Sequence, residues 1–158
     1  LRFARWALEL GYHLFLETPV SDDPSALKEL SSLAGETGKV VMLANVLRYS
    51  VAINKIKELI DAGKLGQVVS IDYTENVGFW HMAHSYVRGN WRRVEDSTPM
   101  ILTKCCHDFD ILLYFIGARC KSVSSIGSLA HFKKENAPKG ATDRCVTCKC
   151  EADCPYSA

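Results

Sequence analysis

Hydrophobic positions in the first 45 residues follow two patterns in turn, a helical spacing of three to four residues and short unbroken runs. Residues 1–11, LRFARWALELG, have the helical spacing and end at a glycine that suits a helix C-terminus. Strands are predicted at residues 13–16 and 39–45, the second unbroken as in a parallel sheet. Asp23 and Pro24 predict a helix start between them, because aspartate caps a helix and proline fits its first turn. This order predicts part of a doubly wound α/β sheet.

The pattern changes after Asn45, where we place a domain boundary. Ser50 is predicted to cap a helix, and residues 99–117 are predicted to form one long helix. The predicted buried stripe of that long helix is Ile101, Cys105, Phe109, Leu112 and Ile116. Residues 68–77 and 122–132 alternate apolar and polar side chains, as antiparallel strands with one buried face do. The predicted fold class is therefore α/β followed by α+β, with an open, mainly antiparallel sheet in the second part.

Composition narrows the class of protein. The chain is 47% hydrophobic and 23% charged, with a net charge of +1. It has no basic block of the kind that binds phosphate backbones, so we expect no nucleic-acid partner. No apolar run approaches the roughly 20 residues that cross a bilayer, so we expect no membrane partner. Seven cysteines, two of them adjacent and four crowded near the end, do not suit a secreted disulfide framework, and we expect a cytoplasmic location.

Proton-transfer chemistry is indicated on the predicted helix 99–117. Lys104, His107 and Asp108 share one face at three- and four-residue steps. An imidazole beside an ammonium group suits proton transfer to or from a hydroxyl and stabilisation of an oxyanion. The alternative is a surface ion pair between Lys104 and Asp108, with His107 filling space.

Polar residues follow both predicted parallel strands. Ligands of open α/β sheets bind at the carboxyl ends of strands, so the position of Glu17-Thr18-Pro19 suits a binding role, and a tight turn fixed by the proline is an equal alternative. Asn45 and Arg48 stand after the next strand, where Arg48 would bind an anion or form an ion pair at a helix entry.

An aromatic and histidine-rich loop, GFWHMAHSYVRGNWRR, precedes the long helix. Stacking surfaces mixed with hydrogen-bond donors suit a carbohydrate or another polyol, and they suit a protein interface equally well. The candidate substrate residues in this loop are Trp80, His84, Tyr86, Arg88 and Trp91.

The tail carries four thiols, Cys145, Cys148, Cys150 and Cys154, within ten residues. Four thiolates are a suitable ligand set for tetrahedral zinc, and a zinc site is one of two interpretations of this tail. Structural zinc sites usually use two ligand pairs joined by a longer spacer, so reduced thiols without metal are the alternative.

Taken in order, these residues resemble the family of glucose-fructose oxidoreductase, inositol dehydrogenase and MocA proteins. Glu17-Thr18-Pro19 is similar to its Glu-Lys-Pro signature, and Asn45 and Arg48 are similar to polar residues after its last Rossmann strand. KLGQVVSIDY resembles the entry into its C-terminal sheet, and HDFDILLYFIG resembles its histidine–aspartate helix. The resemblance spans nearly the whole chain.

The resemblance implies that residues 1–45 are the C-terminal portion of an NAD(P)-binding Rossmann domain. It implies that residues 46–158 are a partial substrate and oligomerisation domain that forms homo-oligomers through its sheet. His107 would be the acid–base residue, with Asp110 one turn further. The edge of the cofactor and substrate crevice would be formed by Glu17, Thr18, Pro19, Asn45 and Arg48.

Two departures from the family pattern affect these expectations. Thr18 stands where the family has a lysine, and we hypothesise that Lys104 supplies the missing charge. No segment resembles G-x-G-x-x-G, so we expect the chain to be the middle of a longer protein and to be inactive alone, because the seat for the dinucleotide pyrophosphate is missing.

The functional prediction is a fragment of an NAD(P)-dependent oxidoreductase that transfers hydride between a nicotinamide and a sugar, polyol or related hydroxy compound. One alternative is a branch of the same family that uses the nicotinamide transiently to hydrolyse glycosides. The other is a non-catalytic assembly or metal-binding module, which the threonine at position 18 would suit.

Overall fold

A computed structural model of the chain describes residues 1–157. Within this range, six α-helices, five 3₁₀ turns, one π-helical turn and two strands account for the regular structure. In chain order they are α1 (Arg2–Glu9), β1 (Leu14–Leu16), α2 (Pro24–Thr37), β2 (Val41–Leu43), a 3₁₀ turn (Val46–Tyr49), α3 (Val51–Asp61), α4 (Phe79–Met82), a π-helical turn (Ala83–Val87), α5 (Met100–Thr103) and α6 (Cys106–Ile116). Further 3₁₀ turns lie at Val94–Asp96, Lys134–Asn136, Cys145–Thr147 and Glu151–Asp153.

The two strands form the parallel sheet that the sequence predicts. Strands β1 and β2 pair in register from Leu14 opposite Val41 to Leu16 opposite Leu43. Helices α1 and α2 pack together around a small core of Ala4, Leu8 and Leu30. Both strands therefore run in the same direction, and the residues that follow them lie at one edge of the sheet.

Helix α2 begins and ends where its capping residues predict. The Asp23 carboxylate accepts a hydrogen bond from the Ser25 amide at 2.8 Å, with Pro24 in the first helical position. Gly38 ends the helix with a φ of 65°, in the left-handed region that glycine enters without a steric penalty. These local signals are strong because they rest on the backbone groups that every helix end leaves unpaired.

The prediction of one continuous helix at residues 99–117 is wrong. The chain forms α5 and α6, with a turn at residues 104–105 between them. This break rotates the second helix relative to the prediction, and Asp108, Ile111 and Phe115 form its buried face. Phe109, by contrast, is 45% exposed. The predicted stripe assumed unbroken helical spacing through the turn and therefore fell on the wrong face.

The predicted antiparallel sheet is absent from residues 1–157. Residues 68–77 and 122–130 have no strand pairing, and the two-stranded parallel sheet is the only one in that part of the chain. Of the side chains predicted to face a core, Ile71 and Val77 are half-buried, but Val69 is 92% and Ile126 100% exposed. A strand is stable only when a neighbour completes its hydrogen bonds, and the alternation of side chains alone does not provide one.

Two compact units divide the chain. The first comprises Leu1–Asp72 with Ile101–Arg119, and the second comprises Tyr73–Met100 with the chain from Cys120 onward. These units interleave in sequence, because α6 belongs with the strands that precede it by some 60 to 90 residues. The predicted domain boundary near Asn45 stays a prediction.

Among residues 1–157, no helix combines the length and the apolar character that a membrane crossing requires.

Candidate active site at the ends of the parallel strands

Three side chains meet where strand β1 ends and helix α6 begins. The Thr18 hydroxyl lies 3.4 Å from Nε2 of His107, and the thiol of Cys106 donates to the same hydroxyl oxygen at 3.7 Å. All three residues are half-buried. The 3.4 Å separation is longer than an ordinary hydrogen bond, and catalytic contacts are often this long before substrate binds. The predicted residues Thr18 and His107, 89 positions apart, are thus neighbours in the first unit.

The second ring nitrogen of His107 completes the description of this group. Nδ1 is buried and has no hydrogen-bond partner among the described residues. The tautomer of a neutral imidazole is usually fixed by the partner of its second nitrogen. Without that partner, Nε2 is able either to donate to the Thr18 oxygen or to accept from its hydroxyl. The geometry is therefore compatible with both the acid and the base form at Nε2.

A second polar group lies one helical turn along α6, around Asp110. The Asp110 carboxylate accepts two hydrogen bonds from Arg48, from Nε and from a terminal nitrogen, each at 2.7 Å. The Asn45 amide donates a third at 3.2 Å. The hydrogen bond and the charge of Asp110 raise the pKa of Arg48, against the opposing effect of partial burial. The polar residues that follow strand β2 thus hold the predicted acidic residue of α6.

Tyr114 extends this second group and was missed in the sequence. The Arg48 guanidinium lies 4.7 Å from the centre of its ring, and the Lys57 ammonium lies 5.3 Å from it. Two cations near one aromatic ring indicate cation–π contacts. Tyr114 follows Asp110 by four positions, so the helical spacing would have placed both on one face once Arg48 was known to reach it.

The remaining residues predicted at this crevice have different surroundings. Glu17 is exposed, and Pro19 follows a cis peptide bond. Lys104 lies in the turn between α5 and α6 and so does not share a continuous helical face with His107. Its role as an electrostatic helper stays a prediction.

The candidate substrate residues belong to the second unit. Trp80 stacks on His81 with ring centres 5.5 Å apart, and His81 stacks on Tyr86 at 6.4 Å. Trp80 and Trp91 are 62% and 46% exposed. The loop is therefore an aromatic surface supported by short helical turns.

The predicted zinc site at the tail is not found. No three histidine, cysteine, aspartate or glutamate side chains among residues 1–157 are arranged to hold a metal, and all seven cysteines are free. Short 3₁₀ turns lie at Cys145–Thr147 and Glu151–Asp153, within the segment that carries the four tail thiols. Four ligands within ten residues would require a very tight loop, whereas structural zinc sites usually use two ligand pairs with a longer spacer.

Two tail thiols still differ in their acidity. A backbone hydrogen bond from Thr142, followed by one from Cys150, lowers the pKa of Cys148. Partial removal from water, followed by the neighbouring charge of Cys148, raises the pKa of Cys150.

Parallel strands whose carboxyl ends carry a half-buried hydroxyl–imidazole pair define an α/β protein with a candidate proton-transfer site. Residues 57–152 match the family model for the C-terminal alpha/beta domain of the Gfo/Idh/MocA oxidoreductase family. The chain belongs to this family of oxidoreductases.

Known relatives agree with this assignment. YteT of Bacillus subtilis (strain 168), which is named as an oxidoreductase, is 29% identical over 155 residues, covering 95% of this chain and 36% of its own length. The scyllo-inositol 2-dehydrogenase (NAD(+)) of the same organism is 27% identical over 124 residues, covering 78% of this chain and 34% of its own length. The chain thus spans about a third of the length of these relatives.

Solved structures show the same fold. The apo scyllo-inositol dehydrogenase of Lactobacillus casei superposes with a TM-score of 0.58 at 24% identity, covering 74% of this chain and 32% of that chain. A protein of Sinorhizobium meliloti 1021 described as a myo-inositol dehydrogenase gives a TM-score of 0.56 at 17% identity, covering 75% and 33%.

Proposed function

We propose that this chain contributes the proton-transfer residues of an NAD(P)-dependent oxidoreductase that acts on a sugar or polyol. The observation that carries the proposal is the Thr18–His107 pair at the carboxyl end of strand β1. Relatives named as an NAD-dependent scyllo-inositol dehydrogenase and as an oxidoreductase support it.

The residues at this edge suit the nicotinamide end of a dinucleotide. The half-buried Thr18 hydroxyl and His107 imidazole would be hydrogen-bond partners for the nicotinamide carboxamide or for the substrate hydroxyl. When bound there, the nicotinamide would accept a hydride in alcohol oxidation or donate a hydride in carbonyl reduction. Glu17, Thr18 and Pro19 would border it. The sequence has no G-x-G-x-x-G motif, which binds the diphosphate of a dinucleotide. We therefore propose that the diphosphate-binding residues belong to a segment present in the relatives and not covered by this chain.

His107 would move the proton that alcohol oxidation releases. Nε2 accepts the proton of a substrate hydroxyl that lies within hydrogen-bond distance of it, and it returns the proton in the reverse reaction. The Thr18 oxygen, held by the Cys106 thiol, orients the substrate hydroxyl toward Nε2. Asp110 would act through position, because its charge is already neutralised by Arg48.

The aromatic loop of the second unit is a separate candidate surface for a polyol. Trp80, Tyr86 and Trp91 offer ring faces for the apolar side of a sugar ring, and His84 and Arg88 offer donors for its hydroxyls. Lys104 remains our candidate for the cation that the family has at position 18. If it has this role, Lys104→Met should abolish turnover.

The test is an oxidation assay on the longest natural polypeptide that contains these residues. Scyllo-inositol, myo-inositol and a panel of sugars are offered with NAD or NADP, and formation of the reduced nicotinamide is followed by absorbance. We expect His107→Gln to lower kcat by roughly 100-fold or more, as for loss of a general acid–base residue. Thr18→Val should lower it less, and Thr18→Ser should restore it.

His13→Gln is the matched control. His13 precedes strand β1, and its Nδ1 accepts a hydrogen bond of 3.0 Å from the Val40 amide. Thr18 follows the same strand at its other end. Equal losses in both histidine variants would mean that His107 acts through stability alone and would reject its chemical role. Release of free sugar from a glycoside without net reduction would instead support the glycosidase alternative, and no dinucleotide binding by a folded protein would support a non-catalytic module.

A further inference from the structure

The second compact unit contains an open cavity that the proposed proton transfer does not use. Its volume is about 620 Å³, and its lining residues belong to positions 83–88 and 131–156. Sites for small organic molecules are commonly about 300–1,000 Å³. The cavity is thus large enough for a ligand of the size of a six-carbon sugar.

The charge of the lining favours an anion. Arg88, Lys133, Lys134 and Arg144 line the cavity, whereas Asp143 is the only acidic side chain among the described residues of the lining. The Lys133 ammonium has a distant partner in Glu135, at 3.9 Å, which lies outside the lining. An excess of cations over carboxylates around one concave space attracts negative charge and raises its local concentration.

Arg88 supplies an independent sign of a missing acceptor. One terminal nitrogen of its guanidinium is buried and has no hydrogen-bond partner among the described residues. A buried charged donor without an acceptor is unfavourable and is rare in folded proteins. A carboxylate or phosphate is the acceptor that a guanidinium binds best, because the two planar forks match.

The backbone around Arg88 sets the position of this group. The Arg88 amide donates to the carbonyl of Ala83 at 3.2 Å and closes the π-helical turn. A side chain at Gly89 would overlap the carbonyl oxygen of His84, so the chain makes a close turn immediately after the arginine. Turns of this kind often mark functional positions, because they displace one side chain from the regular helical path.

The aromatic side of the cavity favours an organic ligand over a bare ion. His131 and Tyr156 share a hydrogen bond of 2.6 Å, and the Tyr156 ring meets Phe132 edge-on at 5.4 Å between ring centres. These rings line the same cavity as the cations. A carbon skeleton would lie on the rings while its acid group reached Arg88.

We infer that this cavity binds a small organic anion of sugar size through a carboxylate or phosphate group. The contacts that support the inference lie within the second unit, and binding requires no turnover. Arg88 is also one of the candidate polyol residues of the proposed function, but the test below measures binding alone, so failure of the inference and failure of the oxidoreductase activity are distinguishable.

The test is calorimetric titration of the 158-residue chain at constant ionic strength with three probes. D-gluconate carries a carboxylate, D-glucitol is its neutral counterpart with the same number of carbons, and inorganic phosphate is the anion alone. We expect gluconate or phosphate to bind at least tenfold more tightly than glucitol. Arg88→Gln should weaken that binding roughly ten- to a hundredfold, the loss expected for charged hydrogen bonds.

Arg119→Gln removes the same charge from an exposed position outside the cavity and should change nothing. Tighter gluconate would assign a carboxylate ligand, and tighter phosphate would assign a phosphate ester. Equal binding of gluconate and glucitol without phosphate binding, no binding of any probe, or binding that Arg88→Gln leaves intact would overturn the inference. If circular dichroism shows that Arg88→Gln is unfolded, Lys134→Gln takes its place, with weaker anion binding as the supporting result.

Discussion

We expect the ion pair of Arg48 with Asp110 to contribute more to the free energy of unfolding than any other polar side-chain contact of the first unit. Two hydrogen bonds of 2.7 Å join the two side chains, which are 40% and 17% exposed. Fully exposed pairs contribute about 0.2–1 kcal/mol, and hydrogen bonds to charged groups contribute about 1.5–3 kcal/mol. Discounting for the exposure of the arginine, we expect Asp110→Asn to lower the free energy of unfolding by about 1–2 kcal/mol.

Arg48→Met should be more damaging than Asp110→Asn. Loss of the guanidinium leaves a carboxylate that is only 17% exposed with the Asn45 amide as its remaining side-chain donor. Loss of the carboxylate charge instead leaves an arginine that water reaches. Removing one partner from a partly buried pair costs the desolvation of the other, so we expect about 2–3 kcal/mol for Arg48→Met.

Urea unfolding followed by helical circular dichroism measures both changes, since most helical residues belong to the first unit. A loss of 2 kcal/mol moves the midpoint by about 1 M when the slope is near 2 kcal/mol per molar. The control is the exposed pair of Lys55 and Glu58, which are 60% and 64% exposed, where Lys55→Met should cost no more than about 0.5 kcal/mol. Equal losses for Arg48→Met and Lys55→Met would refute the reasoning.

The effect should not vary with pH through the arginine. Asp110 raises the pKa of Arg48, and stabilisation from a raised pKa is complete below the unfolded-state value and is lost only as the pH climbs through the folded-state value. Both values lie above the range in which proteins are assayed, so the Arg48 contribution should be the same at neutral and at mildly alkaline pH.

Three further predictions concern other parts of the chain. Gly89→Ala should lower the free energy of unfolding by about 1–3 kcal/mol, because the added methyl group would overlap a backbone carbonyl. Gly35→Ala is the control, since a methyl group there meets open space in helix α2, and it should raise the urea midpoint. Cys148 should react with iodoacetamide faster than Cys150 at mildly alkaline pH, because its lowered pKa gives more thiolate, and equal rates by peptide mass spectrometry would contradict this. Ile126→Ser should reduce any self-association in sedimentation velocity, because this side chain is fully exposed, and an unchanged distribution would exclude it from an interface.

Local signals in the sequence predicted the first half of the chain well. Asp23, Pro24 and Gly38 act through the unpaired backbone groups of a helix end, so three residues are enough to place α2. The parallel strands follow from continuous apolar runs, although they are shorter in the structure than in the sequence pattern. Features that depend on distant partners were less predictable. The break at residues 104–105 and the unpaired segments around Val69 and Ile126 depend on what packs against them, which spacing does not encode.

The position of the candidate acid–base residue depends on a contact that sequence spacing did not single out. His107 and Asp110 are three residues apart on α6 and therefore lie on neighbouring parts of one helical face. Asp110 is held by Asn45 and Arg48 after strand β2, and His107 meets Thr18 after strand β1. The ion pair thus sets the rotation of the helix, and that rotation brings the imidazole to the end of the neighbouring strand. Asn45 and Arg48, which the sequence predicted to bind a cofactor, therefore hold helix α6 in the orientation in which His107 meets Thr18.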